Sequence, residues 1–335
     1  LREYEDAPLA ANEVRAQAVL SAISIGTEMN QYRATAPLHH KRFDHKRSIF
    51  VPDSDWRPYP KGLGYEWAGR VVEIGAEVQG FQIGDLVHLP SHHRETNTFA
   101  AAGRTIYGAI KPLPADLPTE KAVMISLAGV ALQGIHDAHI KLGDRVAVFG
   151  LGVLGLFTVQ LARLNGASWI DAVDPIAQRR ALAEAFGADH VLDPESCDVG
   201  FEIKSAGSGK GADVAIEMSG NSAALHEAIR CVRVAGLVVA GGYYQGDATG
   251  LRLGEEWHHN RVTMVSTMGS HHCPHRDYPL WDRERVQDEA IRLLREDKLH
   301  TEGLVTHRES FERAQDAYQL IDRTPQAALK VVLTY

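Results

Sequence analysis

Cysteine is scarce in this chain: 335 residues contain three, Cys197, Cys231 and Cys273, far apart and odd in number. They form neither a disulfide framework nor a Cys-x-x-Cys zinc knuckle, which points to a reducing compartment. A basic excess is also missing. Lys and Arg total 35 against 43 Asp and Glu, a net charge of −8, with no basic stripe, so a nucleic-acid partner is not expected. The most apolar run, Val146 to Ala162, falls short of a membrane span and is broken by glycines. There is no charged-then-apolar leader, no repeat and no low-complexity tract. The expectation is a soluble, cytoplasmic protein with no membrane partner. With 44% hydrophobic and 23% charged residues, the composition is that of a globular protein with room for two domains.

Two rhythms divide the chain. Up to about Thr119 the signals are short strands, "EVRAQAVLSAIS", "GRVVEIG" and "GDLVHLP". Beyond it helix and strand alternate. "EKAVMISLAGVALQGIHDA" reads as helix, "DRVAVFG" as a buried strand, and "VLGLFTVQLARLNG" as a helix ending at Gly166. "WIDAVD" follows as strand, then "PIAQRRALAEAFG" as a helix with Pro175 in its first turn, then "ADHVLD" and "ADVAIEMSG". A helix "SAALHEAIRCVRVAG" and strands "LVVAGGY" and "VTMVSTMG" complete the alternation, which predicts a doubly wound parallel sheet. After a His- and Pro-rich loop come helices "RERVQDEAIRLLRED" and "SFERAQDAYQLIDR" and a last strand "ALKVVLTY". The expected division is 1–124, 125–270 and 271–335, with the last segment returning to the first.

Gly150-Leu151-Gly152-Val153-Leu154-Gly155 is a G-x-G-x-x-G between a predicted strand and helix. The glycines permit a tight turn, close approach of a pyrophosphate and packing of helix on strand, while the helix N-terminus offers free N–H groups. The second strand ends at Asp174, at the spacing of the carboxylate that accepts from ribose hydroxyls and repels a 2′-phosphate. NAD is therefore favoured over NADP, with Arg179 and Arg180 nearby as the contrary signal. Two other matches fail. "SAGSGKGAD" has Lys204 where a P-loop needs its first glycine and Gly211 where it needs Ser or Thr. "HEAIR" opens at His226 like a zinc-protease helix but places Arg230 where the second histidine belongs.

With that unit placed, the whole chain resembles the medium-chain dehydrogenase/reductase family, which includes alcohol and polyol dehydrogenases. The phrases "SAISIGTEM", "GLGYEWAGRVVEIG", "FQIGDLVHL", "AVMISLAGVAL", "LGDRVAVFGLGVLG" and "ALKVVLTY" carry the likeness through their order and spacing. The resemblance implies an α/β protein: a GroES-like, β-rich catalytic domain plus a Rossmann doubly wound parallel sheet. "ISIGTEMNQYRA" is similar to the bacteriochlorophyllide-dehydrogenase branch, which oxidises a hydroxyethyl side chain. Zinc-bearing relatives hold their catalytic metal with a cysteine, the histidine of Gly-His-Glu, and a further cysteine or glutamate. The matching positions here are Ile25, Tyr65 and Ser126, none a usual zinc ligand. The four-cysteine structural-zinc lobe is absent as well. No metal is expected at the usual site; "SHHCPH" (His271, His272, Cys273, His275) and "PSHH" (His92, His93) are the local clusters worth checking, in a chain of 17 histidines where adjacent pairs recur.

Without a metal, oxidation of a hydroxyl needs a positioned base and hydrogen bonds to the developing charge. Thr27 matches the hydroxyl that binds the substrate oxygen in relatives. Tyr65 stands in the metal histidine's place, either as proton donor or as filler of its volume. His93 follows a segment that borders the substrate pocket in relatives and is the best base by type. Glu66 is positioned to orient Tyr65 or to act itself. For the nicotinamide, the resemblance implies backbone contacts at Gly241, Gly242, Thr267 and Met268, with Lys330 near a phosphate-contacting basic residue. The leading expectation is a zinc-independent, NAD-dependent dehydrogenase acting on a hydroxyl of a sugar, polyol or cyclic alcohol. The resemblance also implies a homodimer or homotetramer. A zinc-free quinone or enoyl reductase, a redox-neutral enzyme with retained NAD, and a non-catalytic nucleotide sensor are the alternatives.

Overall fold

The computed structural model describes residues 2–36, 39–53, 59, 61–268 and 280–335. The chain opens with β1 (Glu13–Ile23), α1 (Ile25–Tyr32) and a hairpin of β2 (Lys41–Asp44) and β3 (Ile49–Pro52). Then follow β4 (Trp67–Ile74), β5 (Leu86–Leu89), β6 (Thr96–Ala100) and the short pair β7 (Arg104–Thr105) and β8 (Gly108–Ala109). Along β1 the residues alternate to Leu20, with Val14, Ala16 and Ala18 buried and Gln17 and Val19 exposed; from Ser21 to Ile23 every side chain is buried. Period two marks the half where one face meets solvent, and its loss marks the half covered on both faces.

The second region runs α2 (Thr119–Ala122), α3 (Ile125–Ala138), β9 (Arg145–Phe149), α4 (Val153–Leu164), β10 (Trp169–Val173) and α5 (Ala177–Ala185). It continues with β11 (His190–Leu192), α6 (Val199–Ala206), β12 (Ala212–Glu217), α7 (Ser222–Cys231), β13 (Val232–Ala240), α8 (Glu256–His259) and β14 (Thr263–Ser266). These six strands form one sheet in the order β11-β10-β9-β12-β13-β14, every neighbouring pair parallel. The order reverses between β9 and β12, which opens a crevice at their carboxyl ends.

The chain closes with α9 (Arg283–Arg295), β15 (Val305–Ser310), α10 (Ala314–Arg323) and β16 (Lys330–Thr334). β16 pairs antiparallel with β1, and β15 runs parallel beside β16, in the sheet ordered β15-β16-β1-β4-β5 with β6 also on β1. One core joins both sheets: Leu20 and Ala68, Leu127 and Leu132 of α3, Val146 and Val148 of β9, and Val286 and Leu294 of α9 lie in a single cluster. Among the described residues no helix is long and apolar enough to cross a membrane.

Four boundaries differ from the sequence expectation. The helix expected over "EKAVMISLAGVALQGIHDA" is interrupted at Val123 and Met124, giving α2 and α3. Pro175 lies outside α5, whose N-cap is Ile176; Asp174 accepts the Ile176 N–H instead, which sets the turn ahead of the helix. The helix from Ser222 stops at Cys231, and "VRVAG" is strand, because β13 pairs in parallel with β12 from Ala212↔Val232 onward. β-branched Val232 and Val234 favour that outcome. "SFERAQDAYQLIDR" enters through the end of β15 and a 3-10 turn at Phe311–Arg313 before α10 begins.

Candidate functional site

Two concave regions meet at the interior helix α3. The first is the crevice at the carboxyl ends of β9 and β12. Gly150 has φ of +80°, and a Cβ there would lie 2.6 Å from the Ser219 side chain. At Gly155 a Cβ would lie 1.8 Å from the Gly150 carbonyl oxygen, so only glycine lets α4 start this close to β9. Gly152 is different: a Cβ there would meet nothing within 4 Å. The turn is thus built by Gly150 and Gly155 and left open at Gly152, just ahead of Val153 and Leu154 at the N-terminus of α4, where a pyrophosphate would sit.

Asp174, buried at the end of β10, accepts from the Leu151 N–H at 2.8 Å and from the Ile176 N–H at 2.8 Å. Each carboxylate oxygen keeps a second lone pair for a ribose hydroxyl. Arg179 reaches Asp174 at 3.9 Å and donates to the Ala328 carbonyl at 3.0 Å; burial lowers its pKa. Arg180 donates to the Asp174 carbonyl at 2.7 Å and pairs with Asp193 at 3.0 Å. On the other side, Gly241 and Gly242 both donate their N–H to the Glu217 carbonyl, at 2.8 and 2.9 Å. The Glu217 carboxylate, whose pKa burial raises, collects Ser219, Gly220 and Tyr244 as donors. Thr267 has a buried hydroxyl oxygen without a hydrogen-bond partner, and its methyl carbon lies near Gly241. Met268 is exposed.

The second concavity is a small cleft lined by Tyr107, Ile125, Ser126, Gln133, Arg283 and Gln287 among others. Tyr65 stacks on Tyr107, ring centroids 5.9 Å apart. Its phenol bonds the Ser24 hydroxyl at 2.5 Å, with the Thr27 side chain close by. Burial, then the charge of Glu66, pushes the Tyr65 pKa well above the ordinary tyrosine value, so this hydroxyl keeps its proton. Ser126 is bonded through its Oγ to His88 Nε2 at 2.7 Å. His88 is fully buried, which pulls its pKa down to about 4 and keeps it neutral. Thr27 and Tyr65 are therefore brought together beside the cleft, while Ile25 packs with Met29, Tyr318 and Phe311.

Glu66 and His93 are placed elsewhere. Glu66 has no exposed surface and pairs with Lys330, itself 1% exposed. Burial raises the Glu66 pKa to about 7, against the lowering effect of Lys330. Lys330 is thereby committed to a buried ion pair and to the Ile23 carbonyl at 3.4 Å, rather than being free to reach a phosphate. His93 has both ring nitrogens engaged, Nδ1 by Ser21 Oγ at 2.7 Å and Nε2 by Glu28 at 3.0 Å. Ser21 in turn bonds the Tyr335 hydroxyl at 2.8 Å, and Glu28 also accepts from Tyr318 and from the Ser24 N–H. Burial would raise the Glu28 pKa, but the His93 charge and these donors outweigh it, and the net shift is downward. His93 belongs to this interior chain and does not line the cleft. The cluster at His271, His272, Cys273 and His275 lies outside the described residues.

Sequence reasoning missed Ser24, Glu28 and Tyr107. Glu28 is adjacent to Thr27 in "GTE" and was legible as an acid next to a candidate; Ser24 and Tyr107 carry no local signal. Residues 42–109 match the family described as alcohol dehydrogenase GroES-like domain, and residues 153–283 that described as zinc-binding dehydrogenase. A D-guloside 3-dehydrogenase of Escherichia coli (strain K12) is 33% identical over 345 positions, covering 100% of this chain and 96% of that protein. An L-threonine 3-dehydrogenase of Pyrococcus horikoshii is 29% identical, covering 78% of this chain and 79% of its own. Among solved structures, galactitol-1-phosphate dehydrogenase from Escherichia coli superposes with a TM-score of 0.77 at 20% identity, covering 100% and 96% of the two chains; that likeness speaks for the fold.

Proposed function

Because the chain belongs to the medium-chain dehydrogenase/reductase family and is an oxidoreductase acting on CH–OH donors, we propose that it transfers hydride between NAD and a sugar or polyol hydroxyl without a metal in the cleft. The observation that carries this reading is the hydroxyl cluster of Tyr65, Ser24 and Thr27 at the family's metal position. A catalytic zinc does not fit there. Ile25 offers no donor, the Tyr65 and Ser126 hydroxyls are neutral and already bonded, and zinc takes thiolate, imidazole or carboxylate. Among the described residues, the set of three His, Cys, Asp or Glu side chains with converging ligand atoms lies instead at His226, Glu255 and Glu256. The sugar substrate rests on the 33% identity to a D-guloside 3-dehydrogenase.

The crevice suits a dinucleotide: the open Gly152 turn would hold its pyrophosphate, Asp174 its ribose, and the unpartnered Thr267 hydroxyl the nicotinamide end. NAD held there would supply the acceptor, or in reverse the donor, of the hydride exchanged with the carbinol carbon. Arg179 and Arg180 are occupied by Ala328, Asp174 and Asp193, which favours NAD over NADP because neither is free to meet a 2′-phosphate. The substrate oxygen is held by Thr27 and Tyr65. Since the phenol keeps its proton, Tyr65 acts as hydrogen-bond donor to the charge that develops on that oxygen, and the proton lost from the carbinol hydroxyl passes by way of the Thr27 and Ser24 hydroxyls to solvent, balancing the hydride that leaves the carbon. Gln133, Arg283 and Gln287 offer polar groups to a hydroxylated substrate in a wall otherwise formed by Ile106, Ile125, Val130 and Val286. The proposal includes a division at 1–124, 125–270 and 271–335 and a cytoplasmic location.

The test is a panel of glycosides, polyols and cyclic alcohols assayed with NAD and NADP. Reduction of NAD by at least one sugar or polyol, with kcat/KM at least tenfold above that with NADP, is expected. A preference for NADP with an enone or quinone as acceptor contradicts it.

A further inference from the structure

The His-Glu-x-x-x stretch that fails as a protease motif meets its missing partners from another helix. His226 lies in α7 and is 5% exposed, yet neither ring nitrogen has a hydrogen-bond partner. Glu255 caps α8 and Glu256 is its first residue. One ligand atom from each of the three lies within 4.8 Å of the others. Glu256 Oε2 is also buried and without a partner. Burying an imidazole and a carboxylate oxygen unpaired is costly, and the two residues that bear them have ligand atoms close together, which calls for a ligand at this place.

We propose that His226, Glu255 and Glu256 bind a divalent transition-metal ion of the zinc class, with water completing its shell. Ligands at zinc distances sit roughly 3.4 Å apart on a tetrahedral ion, so the three need to draw in by at most about 1.4 Å; the exposed Glu255 side chain has the freedom to do so. Charge favours the ion. Arg230 lies 3.7 Å from Glu256 Oε1, but it also pairs with Asp198 and Glu227 at 2.8 Å, and Arg252 holds Glu255 at 2.8 Å. Four carboxylates thus face two guanidinium groups. The ion ties α8 to α7, and α8 leads directly into β14 and Thr267 at the nicotinamide end of the crevice. It is a structural clamp rather than part of the reacting cleft.

The experiment uses the full chain, stripped with a chelator, dialysed and titrated with Zn2+ by calorimetry, with Co2+ absorption as a second readout. One Zn2+ per chain with a Kd below 10 µM, and a melting temperature that rises with Zn2+, are expected. Glu255→Gln, at an exposed position, weakens binding at least tenfold, as does His226→Gln, while NAD-dependent turnover of Glu255→Gln stays at the wild-type value. Zinc binding that survives both substitutions, or no binding at 100 µM Zn2+, overturns the site. Loss of turnover in Glu255→Gln overturns the clamp role. None of these results bears on whether the cleft itself is metal-free, which is read from turnover.

Discussion

Tyr65→Phe removes one oxygen and almost no volume. The ring stays stacked on Tyr107 at 5.9 Å, so the cleft wall is preserved. What is lost is the bond to Ser24 at 2.5 Å and the donor we place on the reacting oxygen. The stability cost is that of a partly buried hydroxyl left without one partner, about 1–2 kcal/mol. Because the Tyr65 proton is retained across the working pH range, the lost donor is an uncharged one aimed at a charge that develops in the transition state. Such donors are worth roughly 2.7–4 kcal/mol, a factor of about 10²–10³ in kcat. Stopped-flow and steady-state formation of NADH on the best sugar substrate are the assays. The expected pattern is kcat down by at least 10²-fold, KM for NAD unchanged, and NAD binding by calorimetry unchanged. A kcat within threefold of wild type refutes the reasoning and leaves Tyr65 as filler of the volume a metal occupies in relatives.

Gly155→Ala places a Cβ where the Gly150 carbonyl stands 1.8 Å away; it should abolish measurable NAD binding by calorimetry, and normal binding would show that the turn does not hold the pyrophosphate. Asp174→Asn keeps one acceptor oxygen for the Leu151 turn but drops the charge, so the NAD:NADP ratio of kcat/KM should fall at least tenfold; an unchanged ratio places the discrimination elsewhere. Glu66 holds its proton to about pH 7 in the fold against an ordinary value of 4.5. Between those values the native state binds a proton that the unfolded chain has lost, so this group's contribution to stability falls as pH rises, by about 3 kcal/mol in all. Glu66→Gln, which cannot ionise, should match wild type at pH 5 and melt higher at pH 8. A variant that melts lower than wild type at pH 8 would mean that the Lys330 pair outweighs the burial cost.

The parts legible in the sequence are those whose chemistry is local. The β9–Gly150–α4 turn and Asp174 are set by residues within one strand–helix–strand unit, where glycine spacing and a strand-end carboxylate carry their own meaning. The strand "EVRAQAVLSAIS" was legible along its length, but the double burial of Ser21 to Ile23 was not, since it depends on distant strands. Tyr335, Ser21, His93 and Glu28 form one hydrogen-bonded chain although Ser21 and Tyr335 are 314 residues apart. No spacing rule reaches that far, and His93, chosen by type as a base, is held by this chain. Lys330 similarly meets Glu66 only because β16 pairs with β1 next to β4. The C-terminus of α7 failed for a related reason: the helical pattern of "SAALHEAIRC" continued plausibly into "VRVAG", and pairing with β12 overrode it.

Hydride transfer is proposed to proceed without a metal where Tyr65 and Thr27 lie beside the cleft lined by Ser126 and Tyr107. The most direct measurement is turnover of NAD and sugar substrate by Glu255→Gln protein, stripped of metal by chelation and verified by elemental analysis to hold less than about 0.05 ion per chain, a ceiling well under the one open-site ion that zinc catalysis needs. The account predicts a kcat within twofold of the untreated variant. Activity that vanishes on stripping and returns with stoichiometric Zn2+ would contradict it.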